Sequence, residues 1–79
     1  MNGIIYKGYE IRAIPHQLAD FGEWTVNLVI LKHRNAQVAT RPFSASNRFK
    51  SRDEAVMHCF IFGRQVIDGK AENCTVTDL

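Results

Sequence analysis

Long apolar runs are missing from this sequence. The longest, such as Leu28–Leu31, fall far short of the ~18–20 residues that a membrane span needs, so no membrane partner is expected. No basic segment followed by an apolar one opens the chain, so no secretory signal is visible and the cytoplasm is the expected compartment. Cysteine is scarce as well. Cys59 and Cys74 are too few for a disulfide framework. A bridge between them is within reach of the chain, but a cytosolic setting disfavours it. His16, His33 and His58 are scattered, and no HExxH, CxxC or paired Cys/His spacing occurs. Neither a metal nor another cofactor is expected on that pattern. A Gly-rich phosphate loop and a nucleophile elbow are missing too. Asp53 and Glu54 are adjacent carboxylates, but they fall where a helix begins, and the helix macrodipole favours them there. The expectation is a protein that is not an enzyme.

What is present suits one small domain spanning residues 1–79. The chain is 46% apolar with a net charge of +2, which excludes intrinsic disorder. A chain this short buries only about 60–65% of its unfolded surface, enough for one sheet and one helix to share a core.

Period-two alternation predicts a strand near 4–14, with Ile5, Tyr9, Ile11 and Ala13 on one face and Glu10 and Arg12 on the other. Pro15 ends it. A loop with Gly22 at its turn leads to a second strand near 24–32. There Trp24, Val26, Leu28 and Ile30 alternate with Thr25, Asn27, Val29 and Leu31. Its second half is apolar on both faces, which marks a central strand. His33–Ala36 reads as a hairpin turn, with Asn35 tolerant of a left-handed conformation. A third strand near 37–45 contains Pro42, which confines it to an edge or breaks it.

Ser51-Arg52-Asp53-Glu54 is a capping box opening a helix near 51–68, and Gly69 stops it. Ala55, Cys59, Phe62, Gly63 and Val66 share a stripe that faces the sheet. Gly63 costs about 1 kcal/mol relative to alanine inside a helix, so it is expected to permit close approach. Residues 70–79 form a tail, in which Thr75–Thr77 can add a short strand. The fold class is therefore α+β: an antiparallel sheet of three strands, or four with the tail, followed by one C-terminal amphipathic helix. The second face of that sheet must be solvated or covered by a partner.

Charge is partitioned unevenly. From Trp24 to Arg52 there is no acidic residue, and Lys32, Arg34, Arg41, Arg48, Lys50 and Arg52 give that stretch +6. The other four cations, against all eight acids, leave the remainder at −4. Amides, hydroxyls and two phenylalanines are interleaved with the basic residues. Such side chains contact phosphates and base edges, and the helix start at Ser51 offers backbone N–H groups. Basic residues on strands also serve as plain solvated surface that discourages edge pairing. A second feature lies on the helix. Met57, Phe60 and Ile61 sit off the core stripe, where an ordinary amphipathic helix is polar. They are candidates for a protein interface, a two-fold homodimer being the commonest assembly.

Two resemblances follow. Tyr6-Lys7-Gly8, then Trp24, then Phe49-Lys50-Ser51-Arg52-Asp53-Glu54-Ala55 is similar to the plant ethylene-response-factor type of DNA-binding domain, over roughly residues 6–68. That resemblance implies three antiparallel strands and a helix, with the sheet reading DNA. The interval from Tyr6 to Trp24 is longer here, and no contact residue transfers. Across nearly the whole chain, Tyr6-Lys7-Gly8-Tyr9 and Gly63-Arg64-Gln65-Val66-Ile67-Asp68-Gly69 resemble a group of short bacterial proteins to which the resemblance attaches no activity. One functional expectation is a non-enzymatic module that binds DNA or RNA through residues 32–52. The alternative is a structural or protein-interaction module, a homodimer or part of a larger assembly, with no nucleic-acid binding.

Overall fold

The computed structural model describes residues 3–20, 22–71, 74–76 and 79. The chain forms β1 (Gly3–Tyr6), β2 (Tyr9–Ala13), β3 (Trp24–Arg34), β4 (Gln37–Phe49) and α1 (Arg52–Ile67). The strands make one antiparallel meander in the order β1-β2-β3-β4, and α1 packs on one face. No helix among the described residues is long and apolar enough to cross a membrane.

The expected first strand is in fact a hairpin. Lys7 and Gly8 both take positive φ, 51° and 85°, and turn the chain back in two residues. That turn matches the right-handed twist of the flanking strands, and glycine adopts it without a Cβ penalty. The consequence is a change of face. Ile4 pairs with Ile11 and lies on the helix side, whereas Ile5 pairs with Glu10 and points the other way. Ile5 is therefore no core partner of Ile11, contrary to the alternation read across residues 4–14. The four-stranded count arises from this hairpin. Thr75 and Val76 add no strand, and Thr77 lies outside the described residues.

β3 is central, flanked by β2 and β4. β4 runs through Pro42 and on to Phe49, four residues past the expected end. It can do so because it is the edge strand, so Pro42 need donate no ladder bond there. Its register shifts where Thr25 pairs with Arg48 while Val26 pairs with Ala45, so Ser46 and Asn47 are extra residues that bend the strand.

Val26, Leu28 and Ile30 of β3 and Ile11 of β2 are fully buried beneath Ala55, Cys59 and Val66 of α1. Gly63 is the contact point. A Cβ placed there would lie 2.7 Å from Ile11 Cγ2 and 3.1 Å from Leu28 Cδ1. The helix starts as expected: Ser51 Oγ accepts from the Glu54 N–H at 3.2 Å and donates to the Glu54 carboxylate at 3.0 Å. It ends at Gly69, where the N–H groups of Gly69 and Lys70 return to the carbonyls of Val66 and Gln65. The tail then recrosses the helix-side face of the sheet and buries Val76 and Leu79 in the same core.

Asp68 joins the two ends of the fold. Tyr6 Oη donates to Asp68 Oδ2 at 2.8 Å, and Lys7 Nζ reaches Oδ1 at 2.5 Å. These bonds hold the carboxyl below its ordinary value of 3.8, Lys7 first and Tyr6 second. A depressed carboxyl stabilises the fold above that value and loses its contribution as pH falls below it. The Lys7 ammonium is raised by the same partner, so its share is lost on the alkaline side, as pH rises past the lysine range. Asp68→Asn is expected to lower the thermal midpoint at neutral pH and to make its fall in acid shallower. Thermal melts from pH 2 to 8 check this; parallel curves for the two proteins would refute it.

Candidate functional site

The six basic residues separate into two groups. Lys32 follows Ile30 on the helix-side face, with its Nζ 4.6 Å above the Tyr9 ring and 3.3 Å from the Gly8 carbonyl. Arg34 donates to the Leu79 carbonyl, and Arg41 donates to that of Thr75 at 3.3 Å. These three cations thus hold a turn and the tail. Arg48 pairs with Thr25, nine residues from Arg34 along β3, or about 30 Å at the ordinary strand rise. Lys50 and Arg52 flank the helix cap beside it. Arg48, Lys50 and Arg52 are exposed and have no ion-pair or hydrogen-bond partner among the described residues. A run that reads as one basic block therefore becomes two patches at opposite ends of a long hairpin.

The aromatic residues in that run face the core. Phe43 and Phe49 pack against it, and Phe49 stacks on His58 with ring centroids 4.2 Å apart. The three helix candidates differ in exposure. Met57 is exposed, and Phe60 turns in against the core margin. Ile61 lines a crevice of about 300 Å³ between α1 and β4, floored by Val26 and Phe62 and rimmed by Asn47 and Gln65. At i, i+3 and i+4 the three lie on one side of the helix, with Met57 exposed and Phe60 and Ile61 half-buried there.

Two further groups bear on chemistry. Cys59 is buried and donates its thiol to the Asn27 carbonyl at 3.2 Å, while Cys74 is unpaired. Burial pushes the Cys59 thiol up, which disfavours the reactive thiolate. Among the described residues no cluster of three or more potential metal ligands occurs.

The sheet face opposite the helix, expected from the sequence to be solvated or covered by a partner, is a further surface whose residues the sequence did not identify. It is built on Val29, half-buried, and Leu31, buried beneath its neighbours at 6% exposure, the half of the central strand that points away from the helix, with Pro42 and Thr40 beside them on β4. Ile5, Ile14 and Val38 stand around this centre, 71%, 44% and 51% exposed. One charged cluster crosses it. The Glu10 carboxylate receives Arg12 Nε at 2.5 Å and lies 2.9 Å from His33 Nε2. Those two partners, Arg12 before His33, hold the Glu10 carboxyl below its ordinary value. The sequence held half of this signal in Val29 and Leu31. The other half depended on the Lys7–Gly8 turn, which moves Ile5 to this side.

The fold and surface define a small α+β domain with a four-stranded antiparallel sheet, one covered face and one open face. No family model, no curated protein and no solved structure matches the chain.

Proposed function

We propose that the protein is a non-enzymatic association module whose open sheet face is its contact surface. One observation carries this reading. Among the described residues four large apolar side chains are left exposed, and three of them, Ile5, Ile14 and Val38, share that face, with Met57 elsewhere. Single exposed apolar residues are ordinary, but a group around an apolar centre marks an interaction surface. The two free thiols suit a reducing compartment such as the cytoplasm.

The test compares the wild type with Ile5→Asp/Val38→Asp. Both side chains are exposed, so the variant should keep its circular dichroism and most of its thermal stability. Affinity capture from extracts of the source cell should then lose the partners that the wild type retains. An unchanged set of partners would show that this face is not the contact. Arg48, Lys50 and Arg52 support a second reading, phosphate contact by a nucleic acid at the helix start. Three such contacts give duplex DNA a log–log salt slope of about −2.7 in fluorescence anisotropy. That slope should vanish in Lys50→Glu/Arg52→Glu.

A further inference from the structure

We infer that the open sheet face is covered by a second copy of this chain, packed sheet on sheet about a two-fold axis that crosses the strands. The inference rests on the reading of that face as a contact surface and names its occupant.

Register supplies the first argument. Two rows cross the sheet on this face. One runs Gly3–Arg12–Val29–Pro42 and the next runs Ile5–Glu10–Leu31–Thr40. Gly3 belongs to this face, since a Cβ built on it would lie 3.6 Å from Glu10 Oε2 and 3.7 Å from Arg12 Cγ. A two-fold axis midway between the rows, lying in the interface plane and perpendicular to the strands, lays each row on the other row of the second copy. Ile5 then stands over Gly3, the one position in the row with no side chain to displace. Glu10 stands over Arg12, Leu31 over Val29, and Thr40 over Pro42, each twice by symmetry. The face is complementary to itself in size and in charge. Its Glu10–Arg12 pair is neutral in each copy, and the axis sets opposite charges in register across the interface.

Area supplies the second argument. β3 and β4 pair along eleven residues and β1 and β2 are four and five residues long, so at about 3.3 Å per residue and 4.8 Å per strand the face covers roughly 500 Å². Doubled across two copies, that is the size of a small, reversible interface. Sheets packed face to face about 10 Å apart, with strands aligned to within about 30°, form an ordinary β-sandwich interior.

Edge pairing is the competing way to bring copies together, and the chain hinders it: β1 is an edge of only four residues. β4 is the long free edge, yet Pro42 removes a donor near its middle, and the extra residues at Ser46 and Asn47 bend its end. Hindrance at both edges favours the face over edge pairing.

Charge reversal tests the arrangement. Sedimentation equilibrium of the wild type should show a monomer–dimer equilibrium. Glu10→Arg alone and Arg12→Glu alone should each dimerise at least about 30-fold more weakly, because each sets like charges against each other twice. Mixed in equal amounts, the two variants should form a one-to-one heterodimer of near wild-type affinity. The chain carrying both changes keeps its internal pair and should dimerise by itself, which guards against a folding defect in either single variant. A mixture that stays monomeric overturns the proposed register. A wild type still monomeric at about 1 mM overturns the second copy as occupant, while the contact-surface reading keeps its own capture test. A wild-type dimer indifferent to both reversals overturns this inference, because the copies then meet elsewhere, and leaves the contact-surface reading to its capture test.

Discussion

Gly63→Val is expected to destabilise the protein by about 3 kcal/mol or more, out of the roughly 4–12 kcal/mol that a chain of this length carries. The reason is local. The atom nearest a new Cβ is Ile11 Cγ2, at 2.7 Å, and it hangs on a branched, fully buried side chain. It cannot swing away as the tip of a flexible chain would. Gly63→Ala separates two effects. Alanine gains about 1 kcal/mol of helix propensity, and overpacking costs about 1–3 kcal/mol. The net expectation is a lower urea midpoint with an unchanged m-value. Combining Gly63→Ala with Ile11→Ala should recover part of the loss, a coupling of about 0.5–3 kcal/mol between residues in contact. An alanine variant as stable as the wild type would mean that the helix can lift from the sheet freely.

Val76→Asp should cost about as much, by a different route. Val76 and Leu79 are buried in the core although neither lies in a strand or helix, and burying such a side chain is worth about 1.5–3 kcal/mol. An unpaired carboxylate cannot stay there, so the tail must leave the sheet. Both burials go with it, together with the Arg34 and Arg41 hydrogen bonds to tail carbonyls. We expect a loss of about 3 kcal/mol in chemical denaturation. Faster amide exchange should appear along the helix-side half of β3 and β4 nearest the turn at Asn35. An unfolding midpoint equal to that of the wild type would show that the tail contributes nothing to the core.

Part of this fold is legible in the residues alone. The capping box at Ser51, the stop at Gly69, the buried stripe through Cys59 and Gly63, and the centrality of β3 were all legible. Each depends on neighbours within a few residues, or on a periodicity that burial enforces. The motifs Tyr6-Lys7-Gly8-Tyr9 and Ile67-Asp68-Gly69 stood out as well, but their meaning is tertiary. They meet as a clamp, with Tyr6 and Lys7 bonded to Asp68 across 61 and 62 residues of chain. Lys7-Gly8 as a turn was the local signal missed, because alternation on both sides of it read as one long strand. That single turn decides which face Ile5 occupies.

The candidate site was less legible, for a definite reason. A charge run records order along the chain, whereas a binding patch requires proximity in space. Residues 32–52 span both arms of a long hairpin and the entry to the helix, so their cations end up far apart. Three of them meet partners supplied by distant segments: Tyr9 and Gly8 for Lys32, Leu79 for Arg34 and Thr75 for Arg41. The sequence by itself determined the α+β class, the helix with its caps and the apolar faces of the central strand, since these follow from local hydrogen bonding and the periodicity of burial. Only the tertiary structure decided that the tail closes the helix-side core and that the basic run divides. It also decided that Ile5, Ile14 and Val38 gather on one open face, because each of these depends on pairing register and long-range packing that no local pattern encodes.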